Sequence, residues 1–259
     1  ELPTVPAADV QGAEFLDDAR RAKTVGIETR PLGPARFEEV NSADLYRAIL
    51  EGEPYRVRGL VSFGSNLVMA HADSGTALEA LGALDFHVHV DQFINPSAAL
   101  ADVVLPAATP FEIEGLKIGF EISLQANALV QLRRPLVAPR GEARSDTQIV
   151  FDLACRMGLG DRFWHGDVDA GLRAMLEPSG IALETLRARP EGVRVPLVQR
   201  HRKYAEPGER GPRGFATPSR RVEFYCERFL DHGYDPLPDY REPLVTPRRG
   251  DIGRRFPLT

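Results

Sequence analysis

The stretch FHVHVDQFINPSAALADVVLP, residues 86–106, decides how this chain folds. FHVHVD (86–91) is a short apolar run that ends on Asp91, and ADVVLP (101–106) is a second that stops at Pro106. Both have the length and the Val and Phe content of buried strands. A small polar loop with Asn95 and Ser97 joins them. An acidic residue closes the first run, and another, Asp102, opens the second.

Further strands and helices flank this core. VRGLVSF (57–63) is another buried run, and it enters a tight GSN loop at 64–66. SGTALEALGAL (74–84) reads as a helix with Asp73 or Ser74 at its cap. Strand, loop, helix, strand, short helix, strand is the order of a parallel sheet covered by helices. Upstream, NSADLYRAILEGE (41–53) carries Leu45, Ala48 and Ile49 at helical spacing, a cap candidate in Ser42 and a stop in Gly52. Downstream, ALVQLRRPLV (128–137) is extended and partly alternating. SDTQIVFDLACRMGLG (145–160) is the clearest helix. Ser145 and Gln148 form a capping box, Ile149, Leu153 and Met157 a stripe, and Gly158 or Gly160 ends it. Past residue 160 the pattern thins. GDVDAGLRAMLEP (166–178) reads as a helix, IALETLRARP as a helical turn, RRVEFYCERF (220–229) as a strand running into a helical turn, and YDPLPDY as extended.

The expected fold is therefore α/β: an open, mainly parallel sheet with helices on both faces, Rossmann-like, plus a small irregular α+β appendage. Residues 1–40 read as a connecting arm, 41–160 as the Rossmann-like domain, 161–243 as the appended α+β segment and 244–259 as a linker to a further domain. The chain begins with Glu1 rather than Met, and both ends read as truncation points. No signal peptide is visible, but one would lie upstream of Glu1, so the sequence leaves the compartment unknown, with the cytoplasm only slightly favoured over the periplasm.

Composition excludes several classes. A net charge of −5 argues against a general nucleic-acid binder. The arginines at 248, 249, 254 and 255 read as a solvated linker rather than a phosphate-binding arm. Cys155 and Cys226 share no C-x-x-C spacing and read as ordinary buried thiols. No apolar run reaches the ~20 residues that a direct membrane span needs.

The chemistry-bearing residues gather at strand ends. In an open parallel sheet, ligands sit outside the carboxyl ends of the strands. Asp91 stands there, and a carboxylate can accept two hydrogen bonds from a ribose diol or a guanine N–H edge. Gly64, Ser65 and Asn66 follow the neighbouring strand: the glycine admits a close phosphate, and the amides after it can point at one. Each feature has a plain alternative. Asp91 and the GSN loop can be turn formers. Asp102 caps a local turn. His87 and His89 share one face of a strand and read as packing or surface residues rather than metal ligands. Glu112 and Glu114 could pair as catalytic carboxylates only if extended, and a solvated loop is favoured. A nicotinamide-dependent Rossmann dehydrogenase is disfavoured, because no G-x-G-x-x-G follows a strand.

The succession FGSN, VDQFINPSAALADVVLPAATPFEIEG and PRGEARSDTQIVFDLACRMG resembles the molybdopterin oxidoreductases of the dimethyl sulfoxide reductase family. That family orders a glycine–Asn loop, D-x-F-x-T-x-T-A, ADVVLP, E-x-x-G and E-x-R-x-D-x-x-I in the same way. The later ATPSRRVEFY and GYDPLPDY resemble the region before its C-terminal barrel, so the likeness covers roughly residues 30–259. It implies the second of two Rossmann-like domains that hold a bis(molybdopterin guanine dinucleotide) cofactor with molybdenum or tungsten. Gly64, Ser65 and Asn66 then fall on the pyrophosphate loop and Asp91 on the acid set against the guanosine. Phe93, Asn95 and Ser97 fall on the following segment, with Asn95 and Ser97 where the family often has threonines. Glu112 falls in the E-x-x-G, near the cofactor. Glu142, Arg144 and Asp146 fit the motif that opens the helix and are taken as structural.

The resemblance implies no catalytic residue and no metal ligand in this chain. A 4Fe-4S cluster, the metal-ligating residue and the closing barrel are expected in N-terminal and C-terminal domains outside these residues. The isolated chain is expected to be inactive. An iron–sulfur electron-transfer subunit and a small-molecule substrate are the implied partners. The FGSN loop and the insert at 115–137 lean toward the thiosulfate/polysulfide reductase and formate dehydrogenase branches. The alternative is a free-standing, non-catalytic nucleotide-binding or scaffold module of the same fold.

Overall fold

The computed structural model describes residues 17–37, 39–119, 122–196, 201–208, 211–243, 246, 248 and 250–256. The chain divides into two compact units, Glu1–Val198 and Gln199–Thr259.

The first unit is built on a three-stranded sheet of β1 (Gly59–Phe63), β2 (Phe86–Asp91) and β3 (Val103–Pro106), in the order β1-β2-β3. Both pairings are parallel, with Val61 opposite Val88 and Val88 opposite Val103. The α/β class read from the sequence is the class observed. The connections are helical. Helix α1 (Ser42–Leu50) precedes β1, and α2 (Ser74–Gly82) lies between β1 and β2. Tyr46 and Ile49 of α1 pack against Ala77 and Ala80 of α2, whose small side chains let the two helices approach. The cap of α1 is Asn41 rather than Ser42: its side chain accepts from Asp44 N–H. Asp73 caps α2 in the same way, with a left-handed backbone that Asp tolerates.

Helix α3 (Asp146–Arg156) starts at Ser145, which accepts from Gln148 N–H at 3.1 Å. The capping box is half made, because the Gln148 amide turns away and donates to Asp152. Gly158, at φ +81°, takes the left-handed position after the helix that a side chain would strain.

The period-two alternation gives the sheet two unlike faces. Val61, Phe86, Val88, Val103 and Leu105 line one of them, and with Leu153 and Met157 of α3 they wall a groove of about 590 Å³. That groove is only partly closed, with Val61 45% and Phe86 50% exposed. The other face carries Ser62, His87 and His89, all buried.

A second sheet was not legible in the sequence. β4 (Gly115–Lys117), β5 (Leu129–Arg133) and β6 (Val193–Arg194) pair antiparallel in the order β4-β5-β6. Val130 and Leu132 point inward from β5 onto Leu176 of α4 (Val168–Leu176) and onto Leu183 and Leu186 of α5 (Leu183–Ala188). Arg187 fastens this layer. Its guanidinium donates to both oxygens of Glu114, at 3.0 and 2.7 Å, and to both of Asp169, at 2.7 Å each. Glu114 is thereby held away from Glu112, so the two do not form a carboxylate pair.

The second unit holds a two-residue antiparallel pairing of Pro207–Gly208 with Gly211–Pro212, and a short helix, Glu227–Leu230. The strand expected over 220–226 does not form. Its polar groups are taken by turns: Phe215 N–H donates to Arg220 O, and Thr217 Oγ1 donates to Arg221 O. Cys155 and Cys226 are free thiols and only half-buried. Among the described residues no helix is long and apolar enough to cross a membrane.

Leu132→Ala removes a side chain 1% exposed at the centre of the second core. It should cost about 2–5 kcal/mol, read as a lower urea midpoint at unchanged slope.

Candidate functional site at the carboxyl edge of the parallel sheet

All three parallel strands end on one edge, and the loops after them are tied together there. Gly64 N–H donates to Val90 O at 2.8 Å, and Ala107 N–H donates to Asp91 O at 3.0 Å. Beyond β3, Ala107 bridges in parallel to Arg144, with Arg144 N–H on Pro106 O and Ala108 N–H on Arg144 O. The chain leading into α3 is thus laid along the sheet, and the first turn of α3 opens at the same edge as Asp91.

Gly64 turns at φ +54°, with open space where a Cβ would stand. The Ser65 and Asn66 N–H groups after it have no acceptor among the described residues. Ser97, fully buried, fixes this loop to the next: its hydroxyl accepts from Val68 N–H at 3.0 Å and donates to Asn66 Oδ1 at 3.3 Å. Asn95 Oδ1 accepts from Ser97 and Ala98 N–H, which orients its amide nitrogen toward Asp91. The structure therefore brings Gly64, Ser65, Asn66, Asp91, Asn95 and Ser97 into one place. Phe93 stands beside them, 75% exposed.

Glu112 has a local task. It accepts from the backbone and hydroxyl of Thr109 and from Arg140 N–H, pinning the turn after β3 to the segment before α3. Those bonds, chiefly Thr109 N–H, hold its carboxyl below the usual range. Asp102 accepts from His87 N–H at 2.7 Å and so squares the amino end of β3 against β2.

Asp91 is heavily engaged by the protein. Its carboxylate takes four donors: Gln92 N–H at 2.6 Å, Phe93 N–H at 3.0 Å, Asn95 Nδ2 at 2.9 Å and His89 Nε2 at 3.4 Å. Burial opposes its charge, but the Phe93, Gln92 and His89 bonds prevail and lower its pKa. Asp146, in the first turn of α3, is the reverse case. It is exposed, and no described residue bonds it. Desolvation, then the negative charge of Asp91, push its carboxyl up. Two carboxylates thus face one space at the sheet edge, one satisfied and one not. The sequence reads Asp146 as structural, and only the bridge between Ala107 and Arg144, visible in the fold, sets it at this edge.

Residues 30–156 match the family model of the molybdopterin oxidoreductases. This chain belongs to that family. It is 30% identical to the acetylene hydratase of Syntrophotalea acetylenica over 98% of its own length and 36% of that protein's. It is 28% identical to the dimethyl sulfoxide/trimethylamine N-oxide reductase of Cereibacter sphaeroides, over 75% of this chain and 25% of the relative. The solved structure of acetylene hydratase from Pelobacter acetylenicus superposes with a TM-score of 0.78 at 27% identity, covering 99% of this chain and 37% of that one. The chain thus spans little more than a third of these relatives at most. Family membership supports a molybdenum–pterin cofactor for the protein. Among the described residues no group of three or more His, Cys, Asp or Glu side chains could hold a metal ion.

Buried His87 gives the fold a pH dependence. Burial, then the neighbouring His89, lower the His87 pKa below its ordinary 6.5, against a smaller upward pull from Asp102. The folded chain holds His87 neutral while the unfolded chain takes up a proton, so stability falls as pH drops below that ordinary value. Unfolding free energies from urea titrations between about pH 7.5 and 5.5 should fall, by at most ~1.4 kcal/mol per pH unit from this group. The fall should be shallower in His87→Gln.

Proposed function

We propose that this chain anchors one guanosine and pyrophosphate tail of a bis(molybdopterin guanine dinucleotide) cofactor within a longer oxidoreductase. The observation that carries the reading is the unpartnered Asp146 carboxylate beside the saturated Asp91 at the carboxyl edge of a parallel sheet. Asp146 is exposed and bonded by no described residue, so its carboxylate is open to the donors of a ligand settling at this edge. The N–H groups at N1 and the exocyclic amine of guanine, or a ribose diol, are donors of the right kind. The Ser65 and Asn66 amides after the open Gly64 turn suit the pyrophosphate oxygens. The residues present therefore fit the group.

In this reading Asp146 receives the nucleoside, Asp91 sets the shape of the loop that frames it, and the 64–66 loop takes the phosphates. Bound, the metal–pterin group supplies oxygen-atom or hydride-equivalent transfer; the protein holds it in position. The branch of the parent enzyme, thiosulfate/polysulfide reductase-like or formate dehydrogenase-like, is part of the proposal. So are a 4Fe-4S cluster elsewhere in the protein and an iron–sulfur partner for its electrons. The relative from Syntrophotalea acetylenica is named a hydratase. The anchor in this chain serves either kind of reaction.

Guanosine diphosphate titrated into the 259-residue chain by calorimetry tests the anchor. It should bind, with adenosine diphosphate weaker, and Asp146→Asn should weaken it roughly tenfold, the worth of one hydrogen bond to a charged group. The same variant should melt no lower than the parent, because it removes repulsion from Asp91. No binding of guanosine diphosphate, or equal binding by the variant, would overturn the reading.

A further inference from the structure

The unused feature of this fold is a row of buried polar side chains directly behind Asp91. Ser62 of β1 and His87 and His89 of β2 sit on the same face, with Ser62 opposite His89 in the parallel register. Ser62 is 6% exposed, His87 1% and His89 0%. Ser62 Oγ lies 3.0 Å from His87 Nε2 and 2.7 Å from His89 Nδ1. His89 Nε2 lies 3.4 Å from Asp91 Oδ2. The two rings meet edge to face, with centroids 5.7 Å apart. Four side chains form one line from the interior to the sheet edge.

One hydroxyl proton fixes the direction of that line. An ionised Asp91 only accepts, so His89 Nε2 carries the proton and His89 Nδ1 is bare. Ser62 then donates to His89 Nδ1 and accepts from His87 Nε2–H. His87 Nδ1 is left as a buried lone pair, and it has no partner among the described residues. The opposite direction would have Asn95 Nδ2, 3.4 Å away, donate to a bare His89 Nε2. It would strand a buried N–H on His87 and give Asp91 one donor fewer. An orphaned N–H is the rarer outcome in folded proteins. The charge of Asp91 and the inner end of the line therefore favour the same direction.

We propose that His89, braced by Ser62, is the positioning residue for Asp91, and that it holds the loop at 91–97 in its ligand-ready shape. The proposal rests on the anchoring role assigned to this edge. Asp91 Oδ1 is bonded by backbone N–H groups of its own loop, which would follow the carboxylate if it swung. Oδ2 is held by Asn95, itself part of that loop, and by His89, which belongs to the rigid strand. Among the described residues His89 is thus the one side-chain donor joining the Asp91 carboxylate to the sheet, and Ser62 keeps its ring from rotating. The other charged groups near the line are Asp102, on the His87 backbone, and Asp146, across the edge.

Two substitutions separate the halves of the imidazole. His89→Gln offers an amide nitrogen toward Asp91 and drops the tie to Ser62. His89→Asn offers an oxygen toward Ser62 and drops the tie to Asp91. Long-range nitrogen–proton NMR of the full chain near neutral pH should find both rings protonated at Nε2. Carboxyl-carbon NMR should find the Asp91 pKa raised toward its ordinary value in His89→Asn and still low in His89→Gln. Guanosine diphosphate should bind His89→Asn roughly tenfold more weakly than the parent, while His89→Gln stays within about threefold.

A His89 ring protonated at Nδ1 overturns the proposal, and so does an Asp91 carboxyl that titrates alike in both variants. Equal loss of binding in the two would mark a role in packing alone and also overturns it. If the parent chain does not bind guanosine diphosphate, the anchoring reading fails, while the tautomer and the Asp91 titration still decide the positioning role without ligand. Should His89→Asn fail to fold, Ser62→Ala replaces it, with broadened His89 ring signals expected and an unchanged ring overturning the proposal.

Discussion

A parallel ladder obliges its strands to finish together. β1, β2 and β3 share one direction, so the chain must leave all of them at one edge and return by helix to the other. Each exit is a loop whose backbone groups need partners. In this chain the partners are mutual: Val90 O takes Gly64 N–H, Asp91 O takes Ala107 N–H, and Ser97 bonds both Val68 and Asn66. The edge is thereby a single bonded surface rather than three separate turns. The helix α3 joins it because Arg144 extends the same ladder by one parallel bridge. Every residue assigned to a ligand depends on this arrangement.

The second core solves a different problem. β4, β5 and β6 are short, and a short antiparallel sheet is marginal by itself. It is steadied on one side by the leucines of α4 and α5 and at its border by the Arg187 fork to Glu114 and Asp169. These ions remain partly exposed, with Arg187 at 33%, so their worth lies more in geometry than in Coulomb energy. The two carboxylates raise the Arg187 pKa further, and its charge is permanent at any pH the fold tolerates.

Much of the first sheet was readable because its strands are apolar runs closed by turn residues. FHVHVD coincides with β2 to the residue, and ADVVLP and VRGLVSF lose only their first two residues. The second sheet escaped because GLK and VR are too short to show a period, and their burial comes from β5. RRVEFY read as a strand from its β-branched and aromatic content, yet turn bonds claim its backbone: Phe215 N–H on Arg220 O, Thr217 Oγ1 on Arg221 O and Arg221 N–H on Ser219 Oγ. At the site, the loop residues announced themselves by type. Asp146 did not, since nothing in its neighbourhood of sequence reveals that a bridge at Arg144 brings it to Asp91. His87 and His89 were legible as one face of a strand, but their line through Ser62 was not. Only the register that sets Ser62 opposite His89 joins them.

The groove beside α3 has a consequence for the chain as an object in water. Parallel sheets are ordinarily covered on both faces, and here Val61, Phe86 and Val103 are left wet beneath a helix that roofs them incompletely. Such a surface costs roughly 25 cal/mol for each Å² of hydrocarbon that water must surround. Anything with aliphatic surface lowers that cost by settling there, whether a dye, a detergent tail or another copy of the same chain. For the chain in water this strip is therefore a place where apolar contact is favoured, while its net charge of −5 acts to keep copies apart.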